Sequence, residues 1–387
     1  MSWKPNRNVW ALSITSLLTD VASEMVLPLL PSFITTVLGG GPAALGRMEG
    51  MAEAVSSLLK LWSGRQVDGG RPCRPWILAG YGLSGFIRPF MGMATSVDAV
   101  VLIRSGDRVG KGLRTSPRDV LLGAAAPPEH RAQVFSFHRA MDHAGAVIGS
   151  LLGWVALSYL QWDLRSIFYA AALPGLLAFA VLLLGLREQA RPAEAPRPVE
   201  EKQRLPSTFG WFLAATAVLG LGAGSEGFLL LAAGGSEVPL TGLPLLWMGL
   251  HIVKSISSLW AGPVADRLGH MGIFLSGKLI HILVFIGFAY IATPLGAVLL
   301  FLIHGLHHGL AEGAEKALVA DWVPAGLRGR AFGAWNLVSG LIALPAAVGF
   351  GMLWEQVSRP AAFGAAVVLS LAGMVLMLLA WRRKPAF

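Results

Sequence analysis

The sequence predicts an all-α membrane protein, with twelve transmembrane helices in two six-helix bundles related by a pseudo-two-fold axis. Three observations lead there. Of 387 residues, 54% are hydrophobic and only 14% charged, against about 25% charged in soluble domains, and the mean hydropathy is +0.61. Apolar runs long enough to span a bilayer, ~20 residues each, recur from one end of the chain to the other. The second half repeats landmarks of the first at offsets between 198 and 202 residues.

The runs fall at 10–37, 44–66, 75–95, 98–124, 131–158, 165–187, 208–233, 242–265, 271–292, 295–321, 330–355 and 361–382. The first is too long for the apolar core of a signal peptide and holds Asp20 and Glu24, so it reads as a retained helix. The longest polar stretch, 187–207, is rich in Pro, Arg and Glu and cannot bury a core. It reads as a cytoplasmic linker between a bundle at 1–186 and a bundle at 208–387, with no room left for a sizeable soluble domain.

A net charge of +9 raises nucleic acid as a partner, but the Lys and Arg sit at the ends of apolar runs, where they orient helices. Lys4, Arg7, Arg65, Arg71, Arg74, Arg118, Arg131, Arg187, Arg204, Arg267, Arg328, Arg330, Arg382, Arg383 and Lys384 fall on one set of alternate loops. The other set holds Arg47, Arg165 and Arg359. The expectation is a multi-pass protein of the cytoplasmic (inner) membrane with both termini inside and no nucleic-acid partner. Cys73 is the one cysteine. It is expected in a basic loop between Arg71 and Arg74, reduced, with no disulfide framework. There is no P-loop, H-E-x-x-H or nucleophile-elbow motif, so neither catalysis nor a cofactor is expected.

The repeat has four landmarks. Leu61 to Asp68, LWSGRQVD, matches Leu259 to Asp266, LWAGPVAD. Ser23-Glu24 in the first run echoes Ser225-Glu226 in the seventh. Gly106 to Gly110 in the fourth echoes Gly305 to Gly309 in the tenth. His130-Arg131-Ala132 echoes Gly329-Arg330-Ala331 at the starts of the fifth and eleventh. Repeats related by an axis along the membrane normal are typical of one large class of transporters.

On these residues the chain resembles the major facilitator superfamily over nearly its whole length. The family motif G-x-x-x-D-(R/K)-x-G-R-(R/K), in the loop between the second and third helices of a half, is matched by Gly262, Asp266, Arg267 and Gly269. In the first half Gly64 and Asp68 are present, Gly69 stands where Arg or Lys is usual, and Arg71 and Arg74 offer the charge. The resemblance implies that Gly64, Asp68, Arg71, Gly262, Asp266 and Arg267 form a conformational latch. Its Asp accepts from a helix N-terminus and pairs with an Arg. The pattern R-x-x-x-G-x-G-x-G of the fourth helix is similar to Arg104, Gly110 and Gly112, with Arg108 in place of the first glycine. It links Arg104 to proton exchange. The antiporter signature of the fifth helix is matched in part: Gly145, Gly149 and Gly153 fit, while Ser150 replaces a proline. The resemblance further implies a monomer working by alternating access.

Charges inside the spans are the candidate site. A charge at the bilayer centre costs about 2.5–3.5 kcal/mol on insertion scales, so such groups face the bundle interior. The solute and proton pathway is expected at Asp20, Glu24, Arg104, Asp107, Arg108, Lys111, Arg139, Asp142, His143, Glu226, His251, Lys254, His307, His308 and Glu312. Arg104, Asp107, Arg108 and Lys111 are spaced to share a helix face. Such pairs also serve as plain structural ion pairs. Glu24, Asp142 and Glu226 are the expected carboxylates of proton coupling, and His143, His251 and His307 the expected imidazoles. Lys111, Arg139 and Lys254 would hold an anionic group or act as counter-charges. The predicted function is proton-coupled movement of a small polar or charged solute, as export, with the proton gradient as energy source. Two alternatives stay open. One is a proton-independent facilitator. The other is efflux of divalent nickel, iron or zinc through His307, His308 and Glu312, with Glu315 and Glu226 as further ligands.

Overall fold

A computed structural model of the chain describes residues 5–68, 71–125, 131–188, 205–235, 238–291, 293–324 and 327–384. For residues 68, 131–133, 136, 259–260, 262–263, 265–268 and 328–329 it describes the backbone alone. Among the described residues it is helical, with no strand.

The predicted runs become twelve helical segments among those residues. They are α1 (Arg7–Val37), α2 (Pro42–Asp68), α3 (Cys73–Ile87), α4 (Val97–Ala124), α5 (Arg131–Ser158), α6 (Leu164–Gly185), α7 (Ser207–Gly234), α8 (Leu243–Leu268), α9 (His270–Tyr290), α10 (Pro294–Asp321), α11 (Arg328–Gln356) and α12 (Arg359–Trp381). Eight of them are long and apolar enough to cross a membrane by composition alone. The others are α2, α3, α4 and α8. In α2 and α4 the shortfall comes from charge: α4 alone holds Arg104, Asp107, Arg108, Lys111, Arg114 and Arg118. The α-helical part of α3 is only 15 residues long, and a 3-10 stretch, Arg88–Met93, carries it on.

Two spans are interrupted at corresponding places. In α1 the regular helix runs Arg7–Glu24, and Pro28 and Pro31 then force short 3-10 and wider turns. In α7 the helix stops at Leu221 and restarts at Glu226. Gly224 between them has φ +59°, a conformation other residues adopt at a cost. The repeat landmarks Ser23-Glu24 and Ser225-Glu226 therefore mark equivalent helix breaks.

The chain divides into two compact units. One holds Met1–Phe33 and Met51–Arg197, the other Ile34–Gly50 and Pro198–Phe387. The division thus differs from a simple cut at the linker: the start of α2 packs with the second unit. There Glu355 Oε2 of α11 accepts from the Ala43 backbone N–H at 2.9 Å. The first unit is centred on Val9, Leu12, Ile77, Tyr81, Leu121 and Leu182. The second is centred on Phe209, Phe212, Phe274 and Trp322, with the Phe212 and Trp322 rings 4.8 Å apart.

Within the first unit α5 lies directly on α1. A Cβ on Gly145 would meet the Leu17 carbonyl oxygen at 2.4 Å, and one on Gly149 the Val21 oxygen at 2.5 Å. The glycines of the partial antiporter signature thus permit a backbone contact between helices. Near its first turn, α3 is capped by Glu188, whose carboxylate accepts from the backbone N–H groups of Cys73 (3.1 Å) and Arg74 (2.7 Å). Cys73 is therefore no loop residue: it opens α3 and is fully buried. Asn8 also exchanges two hydrogen bonds with the backbone of Arg187.

Candidate functional site

Each unit carries one dense ionic cluster. In the first, Asp107 of α4 takes two guanidinium groups: Arg88 Nη2 donates to Oδ1 at 2.8 Å and Arg104 Nη1 to Oδ2 at 3.2 Å. Arg88 Nη1 also donates to the Thr19 carbonyl of α1 at 3.1 Å, so one side chain ties three helices together. All three charged side chains are buried. Close by, Arg114 donates to Ser84 Oγ at 2.6 Å and lies 4.3 Å over the Tyr81 ring. Two arginines on one aspartate leave a buried excess of positive charge, which protein interiors rarely tolerate without a task or a counter-ion.

Arg108 and Lys111 are half-buried, whereas Arg104 and Asp107 are buried. The four residues expected on one face of α4 therefore divide between two environments. Asp20 and Glu24 follow the α1–α5 contact, their Cβ atoms 3.0 and 3.1 Å from where Cβ atoms on Gly145 and Gly149 would stand. On α5, Asp142 lies 3.7 Å from His138 Nε2 and 3.9 Å from Arg139 Nη1, with the Arg139 side chain largely exposed. His138 Nδ1 is 3.3 Å from Ser13 Oγ. His143 is half-buried.

In the second unit Glu226 opens the second segment of α7. Lys254 of α8 donates to its Oε1, and His308 Nε2 of α10 lies 2.9 Å from the same oxygen. Nitrogen atoms of His304 and His308 and an oxygen of Glu226 all fall within 4.8 Å of one another. Beside this trio stand two histidines whose N–H is committed to a carbonyl. His281 Nε2 lies 3.1 Å from Gly222 O, and His307 Nδ1 lies 2.9 Å from Gly277 O. The imidazole rings of His281, His304, His307 and His308 form one group, with centroids 4.9–5.7 Å apart for the pairs in contact. His251 packs against Trp247 instead, centroids 5.4 Å apart.

Of the metal set expected from spacing, the His307 and His308 rings lie 4.9 Å apart. Glu312 is exposed and pairs with Lys316 at 2.7 Å, and Glu315 accepts from Trp335 Nε1. Of the latch residues, Gly64 faces Ser116 of α4 and Arg71 is exposed. Gly269 takes φ +91° at the start of α9. The side chains of Asp68, Gly262, Asp266 and Arg267 lie outside the described residues.

Two residues of these clusters, Arg88 and His281, escape a reading along the helix. Arg88 is the one charge between positions 75 and 96, and that isolation in an apolar run was its signal. His281 stands in α9 three residues after Lys278, so no such isolation marks it. His304 shares the α10 histidine tract but stands four residues before His308, the spacing that puts two side chains on one face.

Comparison with known proteins closes the argument. The family model described as Major Facilitator Superfamily matches residues 12–314. An uncharacterized MFS-type transporter of Methanocaldococcus jannaschii is 30% identical over 385 residues, covering 96% of this chain and 94% of that one. A multidrug resistance protein MdtG of Klebsiella pneumoniae is 24% identical over 351 residues, covering 86% and 82%. Among solved structures, a nucleoside transporter NupG superposes with TM-score 0.79 at 15% identity, covering 96% of this chain and all of that one. A POT family transporter in complex with 5-aminolevulinic acid also gives 0.79, at 11% identity, covering 98% and 96%. With these matches added to the repeat, the broken helices and the buried charges, the chain belongs to the Major Facilitator Superfamily of membrane transporters.

Proposed function

We propose that the protein is a secondary active transporter that moves a small polar or charged solute by alternating access, coupled to protons and in the direction of export. The observation that carries this reading is Glu226. It is a carboxylate at a helix break within a span, held by Lys254 and His308. Discontinuous helices are where transporters of this kind form their sites. Deprotonated, Glu226 anchors the ammonium of α8 to α7. Protonated, it releases that ammonium. A proton thereby biases a two-state element. The positive excess around Asp107 suits a solute with anionic or strongly polar groups. The similarity to a multidrug resistance protein favours export, the basic loops favour both termini inside, and the family resemblance favours a monomer.

The test is transport by purified protein in liposomes under an imposed pH gradient. The solute is first found by ligand-induced thermal stabilisation, which rises as RT ln(1 + [L]/Kd), against drugs, metals, organic acids and sugars. The expected result is uptake or release that follows the gradient. Glu226→Gln should keep solute exchange at equal pH and lose the response to the gradient. Wild-type protein that moves none of the stabilising solutes under any gradient defeats the reading.

A further inference from the structure

We infer that Glu226, His304 and His308 form a binding site for a divalent first-row transition ion, which Lys254 keeps closed by occupying the carboxylate. Three groups supply one oxygen and two imidazole nitrogens, a set that suits zinc, nickel or cobalt. Their atoms already lie within 4.8 Å of one another. Ligands on one ion at about 2.0–2.1 Å stand roughly 3.3–3.4 Å apart in a tetrahedral set, so the trio closes onto an ion by side-chain shifts on the order of an ångström. His304 and His308 are one helical turn apart on a rigid span, so the two imidazoles are positioned before any ion arrives.

Two further observations point to a ligand. His304 is only 3% exposed, and its Nδ1 has no hydrogen-bond partner among the described residues. A buried nitrogen of that kind costs free energy unless something fills the position. The rings of His281 and His307 stand beside the trio, and with an N–H given to a carbonyl the other nitrogen of each keeps a lone pair.

Lys254 supplies the selectivity. Its ammonium and a metal ion compete for the same Glu226 oxygen, and an ion that binds must expel the ammonium whole. Removing that charge should open the site. The inference stands apart from proton coupling, which is read by transport under a pH gradient and not by metal titration.

Cobalt(II) titrated into the purified full-length protein tests it, read by calorimetry and by the visible absorption of the bound ion. Lys254→Met should bind one equivalent at least about 10-fold more tightly than wild type. In that background His308→Gln, His304→Gln and Glu226→Gln should each weaken binding by at least the 10–100-fold typical of disturbed metal sites, whereas Asp163→Asn, at the exposed cap of α6, should change nothing. Each variant is first checked for cooperative thermal unfolding and a single species in detergent, and the glutamines keep side-chain volume so that folding is preserved. Absence of cobalt binding in Lys254→Met, or binding that survives His304→Gln together with His308→Gln, overturns the inference.

Discussion

His308 Nε2 and Glu226 Oε1 stand 2.9 Å apart, and that oxygen is the one that also receives Lys254. One atom therefore links α7, α8 and α10. Groups sharing an acceptor are energetically coupled, so their substitutions should not add. Lys254→Met and Glu226→Gln, each alone, should destabilise the protein, and the double variant should recover part of the loss. Interaction energies of about 0.5–3 kcal/mol are typical of such cycles. Thermal unfolding in detergent of all four proteins measures it; strict additivity would mean that the pair contributes nothing.

The arginine pair on Asp107 is buried more completely. Breaking a buried ion pair from one side costs about 3–5 kcal/mol, because the remaining charge keeps its desolvation penalty. Asp107→Asn leaves two buried guanidinium groups facing a neutral amide. It should lower the unfolding temperature more than Glu312→Gln, whose carboxylate is exposed. Equal shifts for the two variants would refute the assignment of Asp107 as a hub.

Gly149 predicts a steric effect with no electrostatics in it. Its Cβ position is 2.5 Å from a backbone oxygen of α1, and backbone has little freedom to yield. Gly149→Val should cost about 1–3 kcal/mol, the range for overpacked interiors, and reduce the yield of folded protein. Gly210, where nothing stands within 4 Å of the added carbon, is the control and should tolerate Ala with little change.

Asp163, outside the membrane span, supplies a pH effect. Its side chain caps α6, accepting from Ser166 N–H at 3.0 Å. Hydrogen bonds from the Ser166 side chain and backbone hold its carboxyl below the usual 3.8. A folded-state value below the unfolded one means stabilisation that is present above pH 4 and lost as acid protonates the group. Unfolding temperature followed from pH 6 to pH 3 should fall less steeply in Asp163→Asn than in wild type. Parallel curves would contradict the cap.

Much of the architecture was legible in the residues because spans, loops and repeats are written as local patterns. The apolar runs located all twelve helices, and the matching LWSGRQVD and LWAGPVAD segments fall at the ends of α2 and α8. The clusters were harder, since their partners come from different helices. Spacing along α10 grouped His307 with His308, whose rings do lie 4.9 Å apart, but gave no reason to prefer His304 as the second metal-ligating imidazole. The geometry pairs His308 with His304, four residues back, and brings the carboxylate from α7. Arg88 carried a signal by its isolation, but nothing in the order of residues says that its partner is Asp107, one helix later. Composition marks 187–207 as a polar linker and gives no partner for Glu188, which reaches back to cap α3.

The bond between Arg88 and Asp107 also bears on how the chain is made. The two residues lie 19 positions apart on successive spans, so α3 leaves the ribosome carrying a lone cation before its partner has been synthesised. Alone in lipid that cation is penalised; beside Asp107 it gains an ion pair that it shares with Arg104. We predict that α3 and α4 enter the bilayer as a hairpin. A nascent chain truncated after α3 should stay accessible at the translocon, and one extended through α4 should integrate. Asp107→Asn would then act as a defect of biogenesis as well as of the finished transporter.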